Sequence, residues 1–101
     1  MKFEAEIISE EVLPAIRSIL ANRLQVEYGL TQEEIAGKLG ITQPAVSQYL
    51  NGTRANKNVI DKIKEDPQVD IILNDAVGKI ARGEDYHADV SSAVAAIRDK
   101  G

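Results

Sequence analysis

Cysteine is absent from this 101-residue chain, tryptophan is absent too, and histidine occurs once. Without thiols there can be no disulfide framework, thiolate zinc site, cysteine nucleophile or thiol redox switch. One histidine, His87, cannot build a multi-histidine metal centre. Aromatic residues are scarce as well, with Phe3, Tyr28, Tyr49 and Tyr86 making up the whole 4%. The apolar stretches are short and broken by charge, so none is expected to span a bilayer. The opening Met1-Lys2-Phe3-Glu4-Ala5-Glu6 lacks the apolar core of a signal peptide. A soluble cytoplasmic protein without membrane contact is the expectation, and neither a metal nor a cofactor is called for. Basic charge is also in deficit: the net charge is −4, which taken alone argues against nucleic acid as a partner.

What is present is helical periodicity. The apolar fraction of 44% and the modest charge suit one folded domain that needs no covalent staple. From about Glu10 to Tyr28, Leu13, Ile16, Ile19, Leu20 and Leu24 recur at three- and four-residue steps, with Ser9 as candidate cap and Gly29 as stop. Pro14 sits best in a first turn. Thr31 and Glu34 match a capping box for a short helix ending at Gly40. A second short helix starts near Thr42–Pro44, with Thr42 and Gln43 as rival caps, and ends before Asn51-Gly52. Further helices are expected at about Asn58–Glu65, Pro67–Arg82 and Ala88–Arg98, six in all. The segment Phe3–Ile8 alternates apolar and acidic residues and reads as a strand or a loose arm.

The pair of short helices meeting at Gly40 carries the functional argument. Where two helices cross closely one position must be small, and Ala36 is; the turn needs a permissive residue, and Gly40 is one. Ile35, Val46 and Leu50 supply the apolar lock. At about 100° per residue, Ala45, Val46, Tyr49 and Leu50 face one way, and Gln43, Pro44, Ser47, Gln48 and Asn51 the other. An ordinary solvated face would be rich in Lys and Glu, yet neither occurs between Leu39 and Arg54. Amides and a hydroxyl are the groups that read base edges: glutamine pairs bidentately with adenine, and an apolar residue can meet a thymine methyl.

The run from Leu30 to Gly52, with Gln at the start of each helix and with Ile-Ala, Leu-Gly, Val-Ser and Asn-Gly at their offsets, resembles the Cro/phage-repressor (XRE) helix-turn-helix family, especially its small archaeal regulators. The resemblance implies an all-α, lambda-repressor-like helix-turn-helix bundle with extra C-terminal helices. It implies a DNA-binding core at 13–65, an N-terminal arm at 1–12 and C-terminal helices at 66–101, together one compact unit. It also implies a double-stranded DNA operator as partner and a homodimer as the working form. Gln32 would touch a phosphate and orient Gln43. Thr42, Gln43, Pro44, Ser47 and Gln48 would occupy the recognition positions. Asn51 would hold the backbone after that helix, and Arg54 with Lys57 would contact phosphates or nearby bases.

Charge distribution agrees better than its total. Residues 13–57 hold five basic against three acidic residues, net +2, whereas 1–12 and 58–101 carry −3 each. Few phosphate contacts predict a shallow salt dependence, about 0.9 per neutralised phosphate. The rows Val69, Ile72, Leu73, Ala76, Val77, Ile80 and Val90, Ala93, Val94, Ile97 are expected to form a dimer surface, or else to complete the core. An antitoxin-like or adaptor module using that tail is the rival reading. No catalytic constellation is visible: Glu33-Glu34 and Glu84-Asp85 suit capping and solubility, and His87 beside Asp85 and Asp89 suits a surface loop. No effector pocket is apparent.

Overall fold

Pro14 explains the first departure from expectation. Its ring has no N–H and would collide with the carbonyl four residues back in a regular helix. The chain responds by widening: a π-helical stretch, Ile8–Val12, precedes it, and the Leu13 N–H reaches back five residues to the Ile8 carbonyl. In this computed structural model, which describes residues 4–100, helix α1 (Glu4–Ile7) runs through that stretch into α2 (Leu13–Tyr28) without a break. The strand or arm reading is therefore overturned for Glu4–Ile8, which is helical, while Phe3 lies outside the described residues. Ser9 is not a cap; it sits inside the π stretch.

The remaining helices are α3 (Gln32–Leu39), α4 (Gln43–Asn51), α5 (Lys57–Glu65), α6 (Pro67–Ala81) and α7 (His87–Lys100). Counting α1 to α2 as one rod gives the expected six, and no strand occurs among the described residues. Each boundary has a local cause. Gly29 and Gly40 take φ of 65° and 67°, the left-handed conformation that stops a helix and that side chains resist. Asn56 caps α5 by accepting from the Asn58 and Val59 amides, so that helix starts one residue before Asn58.

The core is continuous through the helices. Ile16 and Leu24 of α2, Ile35 of α3, Val46 of α4 and Val69, Leu73, Val77 and Ile80 of α6 are all essentially sealed from solvent. Arg23 of α2 reaches α6, donating to Asn74 Oδ1 at 2.7 Å and pairing with Asp70. The tail rows thus complete the chain's own core: α6 is packed on α2, and α7 lies along α6 with Ala93 buried at the contact. No described helix is long and apolar enough to cross a membrane.

Asp66 joins the two ends of this tail. It caps α6 through the Gln68 and Val69 amides and receives Lys100 Nζ at 2.7 Å from the end of α7. The Lys100 ammonium, followed by those amides, holds the Asp66 carboxyl below its ordinary value of 3.8. A lowered carboxyl contributes stability that is present above its ordinary range and is lost as pH falls through its folded value. Tm should therefore fall more steeply with acid in the wild type than in Asp66→Asn. A thermal melt series between about pH 5 and pH 2 checks this, and parallel curves would contradict it.

Candidate nucleic-acid interface

Thr31 opens the bracing helix. Its Oγ1 accepts from the Glu34 amide at 3.1 Å while Glu34 Oε1 accepts from the Thr31 amide at 2.9 Å, a complete capping box. The Thr31 amide, followed by the Thr31 hydroxyl, holds the Glu34 carboxyl below its ordinary value. The rivalry over the second helix resolves in favour of Thr42: it is extended, with ψ of 156°, and its Oγ1 accepts from the Ala45 amide at 3.2 Å. Gln43 and Pro44 follow as the first helical residues, where a missing proline N–H costs nothing.

Packing fixes the recognition helix α4 in place. Ala45, Val46 and Tyr49 are buried, Leu50 is half-buried, and Ala36 is buried at the crossing with α3. One buried hydrogen bond adds to this: Ser18 Oγ on α2 donates to the Tyr49 carbonyl at 2.9 Å. Carbonyls in a last helical turn lack intrahelical partners, so this bond satisfies one that the protein has buried. Periodicity alone overlooks Ser18, because a serine on the inner stripe of α2 does not break its pattern. Ser18→Ala strands that carbonyl and should cost about 1–3 kcal/mol in a urea melt. A cost near zero would show that the bond does not hold α4.

The opposite face of α4 is open. Gln43, Pro44, Gln48 and Asn51 are exposed and Ser47 is half-buried, with Thr42 exposed at the entrance. Nine residues at 1.5 Å make the helix about 13 Å long, a length that fits along a major groove. Gln32 is half-buried at the start of α3, and among the described residues it forms no hydrogen bond with Gln43.

The far end of α4 is more ordered than the sequence suggests. Asn51 Oδ1 accepts from the Thr53 amide at 3.0 Å and from Thr53 Oγ1 at 2.8 Å, which holds the backbone beyond Gly52. Arg54 folds back so that its Nε donates to Gln48 Oε1 at 2.8 Å, and its guanidinium lies 5.6 Å from the centre of the Tyr49 ring. Gln48 is thus held by its oxygen, and among the described residues neither its NH₂ group nor the Gln43 amide has a partner. Lys57 is exposed at the first turn of α5 and lies 3.8 Å from Asp61.

Two of the five basic residues counted around the motif serve elsewhere. Arg23 is tied to Asp70 and Asn74, and Lys38 Nζ donates to the Ala81 carbonyl at 3.4 Å, where a cation suits the end of α6. Arg54 and Lys57 stand beyond the C-terminal end of α4, and Arg17 is exposed on α2. His87 is not in a loop but opens α7, its ring Nδ1 2.8 Å from Asp85, and Tyr86 stacks on it. Among the described residues no group of three histidine or carboxylate side chains could hold a metal ion.

A helix capped at its start, locked by buried residues and bare of charge on its outer face has the form of a major-groove reader. The helix-turn-helix family model matches residues 20–71, just over half of the chain. No curated protein and no solved structure matches it significantly. With its turn at Gly40 and its recognition helix at Gln43–Asn51, the chain belongs to the Cro/C1-type (XRE) helix-turn-helix family of DNA-binding regulators.

Proposed function

We propose that the protein is a sequence-specific transcriptional regulator that binds a palindromic operator as a homodimer, with one α4 in the major groove of each half-site. The observation that carries this reading is the outer face of α4, exposed and uncharged on a helix that the core holds rigidly. Gln43 would read adenine through both ends of its amide. Gln48, its oxygen engaged by Arg54, would offer NH₂ to an acceptor such as a purine N7. Gln32, Asn51, Arg54 and Lys57 would set register on phosphates and sugars. Selection from a random duplex library at about 50–100 mM salt tests the reading. Enrichment of paired half-sites about 34 Å apart supports it, and no enrichment at all refutes it.

The dimer would form through the C-terminal region. Most apolar side chains of that region are consumed in the core, but Ile71 on α6 remains 62% exposed. Bulky apolar side chains at the centre of an interface dominate its affinity. Ile71→Lys should raise the dimer dissociation constant at least about tenfold in sedimentation. An unchanged mass distribution would place the contact elsewhere. The antitoxin-like or adaptor reading relied on free apolar rows in the tail, and since α6 buries its row within the chain, no particular observation favours it.

A further inference from the structure

Helix α7 packs along α6 and is pinned there by Lys79–Asp89 at 2.9 Å and Lys100–Asp66 at 2.7 Å. Its side toward α2 is not closed. A cavity of about 280 Å³ lies between α2, the turn at Gly40 and the start of α7. Ile16 and Leu20 wall it from α2, Leu39 and Ile41 from the turn, and Val90 from α7. Its polar groups are Arg17, the stacked Tyr86–His87 pair and Ser91, and no carboxylate lines it. The two carboxylates next to lining residues in sequence are both engaged, Asp85 by the His87 amide and ring and Asp89 by Lys79. Arg17 has no hydrogen-bond or ion-pair partner among the described residues.

An apolar chamber with one unpaired guanidinium at its edge is complementary to an amphipathic anion. The planar fork of arginine matches a carboxylate bidentately, and the aliphatic walls match a hydrocarbon. We propose that this cavity binds a small monocarboxylate with an apolar chain or ring, about ten non-hydrogen atoms in size, its carboxylate on Arg17 and its tail against Ile16, Leu20, Ile41 and Val90. Leu39 and Ile41 flank Gly40, so the occupant touches the turn that joins the bracing and recognition helices. A ligand favouring one arrangement of that turn changes DNA affinity, and DNA changes ligand affinity by the same factor. That coupling rests on the DNA-binding reading; the site itself does not.

Titration calorimetry of the full chain with octanoate tests the site without DNA. The expected Kd is about 0.1–1 mM, as befits a ligand of this size. Octanol, which lacks the charge, should bind at least tenfold more weakly, and Arg17→Gln should weaken octanoate by a similar factor. Ser91→Phe, a change at an exposed rim position, should abolish the heat while the circular dichroism spectrum stays unchanged. No binding up to about 10 mM overturns the site, and equal binding of octanol, or indifference to Arg17→Gln, overturns its anion preference. Operator affinity is then compared with and without saturating octanoate. A several-fold change supports the coupling and an unchanged Kd overturns it. Absent DNA binding in the octanoate-free control would count against the DNA-binding reading alone.

Discussion

Gln43→Ala should lower affinity for the selected operator about 10- to 100-fold and relax preference at one base pair of each half-site, as loss of a bidentate base contact does. The effect should be largest against adenine, because among the described residues no side chain or backbone group engages the Gln43 amide, which leaves both of its ends to pair. Gln48→Ala should cost less, since Arg54 already holds its oxygen. Arg54→Ala separates the observed hold on Gln48 from the proposed phosphate contact. Loss of a phosphate contact weakens all sequences alike and lowers the salt slope by about 0.9. Release of Gln48 instead changes which base is preferred at its position. Repeating the selection with each variant distinguishes these outcomes; an unaltered consensus in both glutamine variants would mean that α4 does not read the groove through this face.

The largest expected loss of stability lies outside the helix-turn-helix. Leu73 on α6 is completely buried, alongside Ile16, Leu24 and Ile35. Leu73→Ala should destabilise by about 2–5 kcal/mol, the usual range for a leucine cavity that cannot collapse. Because α6 is packed directly on α2, the loss should appear as one shifted transition in urea, with recognition-helix and tail probes moving together. Two separate transitions would mean that the tail folds on its own and merely leans against the DNA-binding core.

Much of this was legible because the signals are local. Thr31 and Glu34 are three residues apart and meet as a capping box; Gly40 and Gly29 stop helices by a backbone conformation that few other residues accept; Asp66-Pro67 caps and starts α6. Ile35, Val46 and Ala36 turn inward as their spacing predicts. The start of the chain was misread because a short apolar–acidic alternation cannot distinguish a strand from a helix, and because Pro14 disguises a helix that passes through it by widening to a π turn. Contacts across the fold leave no such trace in spacing. The bond from Ser18 to Tyr49, the clasp of Arg54 on Gln48 and the diversion of Arg23 and Lys38 to α6 join residues whose proximity only packing creates.

A motif region at net +2 looked basic enough for phosphates, yet two of its cations are spent within the protein and a third, Arg17, borders the cavity. Arg54 and Lys57 remain beside α4, so in the proposed complex selectivity would come from uncharged side chains more than from attraction to the backbone.

The most direct measurement is an amide chemical-shift map of the intact protein titrated with its selected duplex. The largest changes are expected at Gln32 and along Thr42, Gln43, Ser47, Gln48, Asn51 and Arg54, with α6 nearly silent. Changes concentrated on α6 and α7 while α4 stays unperturbed would contradict groove reading by α4.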